Sequence, residues 1–154
     1  MTAFNPEQFE QTAIDGANQE TFINVSDGDY PAYIESTEFR ELQDSSPEQP
    51  RVVADITWVI PDDDLAEELG LDEIKVRQGI FLDLEPQTFA IQFGTNKNVN
   101  LGRLRAALDL NDPGTPFSWS DLIGKAATIT VVQEAARNDP TQMYSRVRGI
   151  SKTE

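Results

Sequence analysis

The sequence contains no cysteine and no histidine. Without cysteine there are no disulfides, no thiol nucleophile and no thiolate zinc site; without histidine, Ser-His and Cys-His catalytic arrangements also disappear. Carboxylates, Lys, Tyr, Ser and Thr remain for chemistry, and no pair of them is singled out. The expectation is a protein that is not an enzyme and needs no metal or cofactor. Long apolar runs are missing too: the longest are short, such as Ile56 to Ile60, which Thr57 interrupts. That is far short of the roughly 20 residues of a membrane-spanning helix. The N-terminal Met1-Thr2-Ala3-Phe4-Asn5-Pro6 has neither a basic start nor an apolar stretch, so no secretory signal and a cytoplasmic location are expected.

Positive charge is scarce as well. There are 12 Lys and Arg against 27 Asp and Glu, a net charge of −15. The imbalance is concentrated: residues 1–73 hold 19 acidic and 2 basic side chains, residues 74–154 hold 8 and 10. An acidic first half therefore precedes a second half that carries nearly all the cations. Acidity of this size favours solubility by itself, and the clustering of cations points to one less negative face.

What is present is a patterned chain of 154 residues, enough for one domain with a useful core. Residues 1–21 read as a peripheral arm. Asn5-Pro6-Glu7-Gln8 is a helix start, Phe9, Ala13 and Ile14 form a weak apolar stripe, and Gly16 is the expected stop. The arm is expected to pack on the body or on a neighbour. Residues 22–154 read as one barrel domain. A strand is expected from Tyr30 to Phe39, with Ala32 and Ile34 on one face and Tyr33, Glu35 and Thr37 on the other. A polar loop, Glu41 to Pro50, leads to the clearest strand, Arg51 to Ile60, with Val52, Ala54, Ile56, Trp58 and Ile60 inward. Asp62-Asp63-Asp64 caps a short helix closed by Gly70. The third strand, Ile74 to Leu84, alternates an apolar even face, interrupted by Gln78, with Lys75, Arg77 and Phe81 on the odd face. Thr88 to Phe93 is a candidate short strand. Leu101, Leu104 and Leu108 give a helical stripe after a cap at Asn98 or Asn100. A helical turn at Ser118 to Ile123 and strands at Ala126 to Val132 and Tyr144 to Ile150 complete the chain. Trp58 and Trp119 are expected in the core.

The order strand, strand, strand, helix, strand, strand is that of the five-stranded Greek-key barrel called the OB-fold, with its helix between the third and fourth strands. The fold class expected is mainly β, an OB-like barrel with short peripheral helices; a β-sandwich is the alternative if the arm and Thr88 to Phe93 add strands.

Three basic, aromatic-bearing patches follow. The third strand presents Lys75, Arg77 and Phe81 on the surface that carries ligands in OB barrels, with Tyr33 on the outer face of the first strand. The last strand presents Tyr144, Arg146 and Arg148, with Ile150 on the same face. Phe93, Lys97, Arg103 and Arg105 flank a glycine-bearing loop that lacks the spacing of a nucleotide P-loop. Cations track phosphates and rings stack bases, which makes single-stranded nucleic acid the expected ligand. Asp27-Gly28-Asp29 and Asp62-Asp63-Asp64 read as turn and cap chemistry rather than cation sites.

Several stretches resemble a family of short bacteriophage proteins associated with single-stranded DNA binding and recombination: Asp27 to Ile34, Val76 to Asp83, Asn98 to Arg105, Ser120 to Lys125 and Val147 to Ile150. The resemblance implies a viral protein in the cytoplasm of an infected bacterium. It would coat single strands in replication or recombination and meet phage proteins of those processes, alone or as a homo-oligomer. Arg77, Phe81, Arg103 and Arg105 lie in the matching stretches. One departure is the C-terminus, Ile150-Ser151-Lys152-Thr153-Glu154, which lacks the acidic tail common in such proteins and puts partner recruitment in doubt. Two other roles compete: a capsid-decorating virion protein, and an acidic DNA mimic that blocks a host protein through Asp62–Asp64, Glu67 and Glu68.

Overall fold

The structure, a computed structural model, describes residues 3–13, 15–17 and 24–153. The elements are α1 (Pro6–Gln11), β1 (Gly28–Glu41), β2 (Val52–Ile60), α2 (Asp63–Leu69), β3 (Ile74–Leu82), α3 (Val99–Ala107), a 3-10 turn (Trp119–Leu122), β4 (Ala126–Ala135) and β5 (Met143–Ser151). The five strands close into a barrel in the order β1-β2-β3-β5-β4. All neighbours are antiparallel except β3 and β5, which run parallel. With α3 between β3 and β4, this is the OB-like arrangement, and closure of the sheet sets the sandwich alternative aside.

Alternation builds the core. Ile74, Val76, Ile80 and Leu82 of β3 are buried with Ala54, Ile56, Trp58 and Ile60 of β2, and Ile129, Val131 and Val147 close the far wall. Leu101, Leu104 and Leu108, the apolar stripe of α3, are all buried against the barrel. Gln78 interrupts the inward face of β3 for a reason: its Oε1 accepts the Trp58 indole Nε1–H at 2.9 Å. A buried indole donor left without an acceptor costs about 1–3 kcal/mol.

Several sequence expectations are corrected. A bulge between Ile34 and Ser36 shifts the register, so Thr37 pairs with the fully buried Ile56 and faces inward rather than beside Tyr33. A second bulge, at Thr130/Val131, sets Val147 opposite Val131 and Ile150 opposite the buried Ile129. Ile150 thus packs on the core and does not share the outer face of Arg146 and Arg148. Val53 and Val59 lie on the outer face of β2 yet are buried, because Arg40 and Phe81 flank the first and Tyr33 and Lys75 the second. Thr88 to Phe93 is not a strand. Gln87 and Phe89 adopt positive φ, the chain turns back through Glu85 and Ala90, and a single bridge, Leu84 to Ile91, forms. Helix α1 ends at Gln11, before Gly16; Ile14 lies outside the described residues.

The acidic turns do structural work. Asp62 accepts Leu65 N–H at the start of α2, and Gly70, at φ 73°, closes it. Asp27 accepts Gln133 N–H, and Asp29 accepts the Thr130 hydroxyl, tying the start of β1 to β4.

Candidate nucleic-acid interface

Register fixes which outward side chains are neighbours, because directly opposite residues share a face. Across β1, β2 and β3 the rows are Tyr33-Val59-Lys75, Ser36-Thr57-Arg77, Glu38-Asp55-Gly79 and Arg40-Val53-Phe81. Two cations of this surface are neutralised. Lys75 Nζ sits 3.0 Å from Glu35 and 3.5 Å from Glu73. Its pKa is raised, chiefly by the hydrogen bond and charge of Glu35. Arg40 pairs with Asp55 at 3.1 Å, and its pKa is likewise raised by that partner. Arg77 has no ion pair among the described residues. Phe81, 65% exposed, stands at the far end of the strand from Lys75.

Several of the cations meet at the β3–β5 seam. One register pair joins these strands, Arg77 opposite Arg146. Like charges placed opposite one another repel, and the structure offsets one of them: Arg146 Nε meets Glu134 at 2.6 Å, a carboxylate that also accepts the Tyr144 hydroxyl. A hollow opens on each side of this pair. The one toward the strand starts, about 340 Å³, is lined by Lys75, Arg77 and Tyr144, among others. The other, about 410 Å³, lies between the seam and α3 and is lined by Gln78, Asn100, Arg103, Arg148 and Lys152, among others. Arg148 occupies the extra position of the β5 bulge, between Val147 opposite Val131 and Gly149 opposite Thr130. Lys152 is paired with Asp109 at 2.5 Å. Among the described residues Arg77, Arg103 and Arg148 carry no ion pair.

Arg103 and Arg105 part company. Two residues apart on an α-helix means a rotation of about 200°, so they leave opposite sides of α3. Arg105 donates from Nε to Leu110 O at 3.0 Å and lies over the Phe117 ring, 4.4 Å from its centroid. It helps to wall a separate pocket of about 500 Å³, together with Ile91, Phe93, Leu101, Phe117 and Trp119. Edge-on contacts build the aromatic wall: Phe39 with Trp119 at 4.8 Å between ring centres, and Phe117 with Trp119 at 5.8 Å. Trp119 is thus half-buried, packed against the core and walling the pocket, rather than fully enclosed. Phe93 and Lys97 are exposed on the loop leading to α3.

Of the residues singled out from sequence, Lys75, Arg77, Arg103, Tyr144, Arg146 and Arg148 line the seam. Phe93 and Arg105 belong to the aromatic pocket, while Tyr33, Phe81 and Lys97 stand apart from both. Sequence reading missed Phe39 and Phe117. Their signal was faint: Phe39 looked like a strand end, and Phe117 follows the turn-rich Pro113-Gly114-Thr115-Pro116.

Asn98 positions the α3 end of the site. Its side chain does not cap the helix. Instead Nδ2 donates to Asp83 O and Gln92 O, at 2.8 and 2.9 Å, and Oδ1 accepts Asp83 N–H at 2.8 Å. The start of α3 is thereby pinned to the end of β3. No family model matches the chain, and no curated protein matches it.

Proposed function

We propose that this protein binds single-stranded DNA along the β3–β5 seam. The observation that carries the reading is the alignment of Arg77, Arg148 and Arg103 beside two hollows, none of them tied to a carboxylate among the described residues. An exposed cation already held in an ion pair offers little net charge to a phosphate; an unpaired one offers all of it. From Tyr144 to Lys152 the track is roughly 26 Å long at about 3.3 Å per residue, which suits the short end of the 4–16 nucleotides an OB barrel engages. Tyr144, exposed at one end, supplies a ring for base stacking. The role needs no catalysis and no cofactor.

The sequence resemblance extends this reading to a bacteriophage protein that coats single strands during replication or recombination in the infected cell. Fluorescence anisotropy of a labelled oligo-dT tests the binding itself. Replacing Arg103 and Arg148 together by Ala is expected to weaken binding at least about tenfold at low salt, and Tyr144→Ala to cost about 1–3 kcal/mol if its ring stacks a base. Affinity unchanged in both variants would defeat the assignment.

A further inference from the structure

The N-terminal arm and the aromatic pocket are each built, and each is left open within one copy. Asn5 caps α1 with its side chain, accepting Glu7 N–H and Gln8 N–H, and Pro6 occupies the first helical position. Phe4 precedes the cap and Phe9 lies at the fourth helical position, the two sites of a hydrophobic staple. Their rings meet, 5.3 Å between centroids. The result is a two-ring wedge on six residues of helix, yet no residue of α1 is buried, and Phe4 and Phe9 are 72% and 66% exposed. A helix this short is not stable in water by itself, so its preformed cap and staple point to a surface that receives it.

The pocket behind α3 has the matching character. Its walls are Ile91, Phe93, Leu101, Phe117 and Trp119, its volume about 500 Å³, and Phe93 at its rim is 83% exposed. Charge matches as well. The arm carries Glu7 and Glu10 and, through residue 17, no Lys or Arg. The pocket contributes the Arg105 guanidinium, which has no ion pair among the described residues, beside a single carboxylate, Asp112. We infer that the Phe4–Phe9 wedge of one copy docks in the Phe93–Phe117–Trp119 pocket of a second copy, with Glu7 or Glu10 toward Arg105. The contact is heterologous, arm to pocket, so it joins copies head to tail. Two rings and six residues of helix form a small interface, and the association is weak and concentration-dependent.

This inference stands apart from DNA binding and is tested without DNA. Sedimentation of the full chain from micromolar to millimolar concentration is expected to show an average mass that rises with concentration. Phe4→Ser with Phe9→Ser, an arm variant, and Phe93→Asp, a pocket variant, change exposed residues and are each expected to weaken association at least about tenfold. Mixed in equal amounts, the two variants should associate, because one supplies an intact pocket and the other an intact arm. A wild type that stays monomeric throughout, including one whose arm docks in its own pocket, overturns the inference. So do variants that associate like the wild type, or a mixture that stays monomeric.

Discussion

Trp58 and Gln78 illustrate how single residues carry the fold. The indole is fully buried and its donor is satisfied by one side chain on the neighbouring strand. Gln78→Leu, of similar size, is expected to destabilise the protein by about 1–3 kcal/mol in urea unfolding, and by clearly less on a Trp58→Phe background, where no donor remains to be satisfied. The break at Gln78 was visible in the alternation of the sequence. Its reason was not, because the partner is 20 residues away and only register brings the two together. Asp139, in the β4–β5 turn, gives a residue-scale pH effect. Its pKa is lowered, first by the Thr141 hydroxyl at 2.6 Å and then by the Thr141 N–H. A depressed carboxylate contributes stability above its unfolded pKa and loses that contribution as pH falls through the folded value. Thr141→Val keeps the N–H bond, so NMR titration should show Asp139 moving only part of the way back toward the ordinary range.

At the scale of elements, strands and helices were legible wherever period and caps agreed: β2 and β3 by alternation, α2 by Asp62 and Gly70, α3 by its leucines. What escaped was whatever a bulge or a turn decides. One extra residue in β1 turned Thr37 inward, and one in β5 turned Ile150 inward while leaving Arg148 outside. The β1 bulge has no glycine or proline to mark it; Gly149, beside the β5 bulge, is a signal that the strict alternation passed over. The basic odd face of β3 was legible, but two of its neighbours across the sheet, Glu35 and Asp55, are the carboxylates that silence Lys75 and Arg40. Asn98 holds β3 to α3 and sits at φ 52°, a conformation costing a residue with a Cβ about 1–2 kcal/mol. Asn98→Ala loses three side-chain hydrogen bonds and keeps that strain, for an expected loss of about 2–4 kcal/mol. Asn98→Gly loses the same bonds without the strain and should be about 1 kcal/mol less damaging. Urea unfolding orders the two; equal losses would show that the left-handed backbone is not being held by asparagine.

For the whole molecule, the net charge of −15 opposes a polyanion at long range. Screening confines that repulsion to about 8 Å at physiological ionic strength, so the local surface decides. The acidic side chains fall mainly before residue 74, in the arm, β1, the loop to β2 and α2, while the seam is made of β3, α3 and β5. That division of charge could be read from the sequence; its convergence on one seam required the parallel pairing of two strands far apart in the chain. The most direct test is the salt dependence of oligo-dT binding by the wild type and by a variant with Arg77, Arg103 and Arg148 all replaced by Ala. Three phosphate contacts correspond to a slope of about −2 in log K against log salt for a single strand. The expected result is a wild-type slope near that value and a variant whose slope is nearly flat and whose binding is lost at moderate salt. No binding by the wild type even at low salt, or the same slope in both proteins, would contradict the seam as the DNA-binding surface.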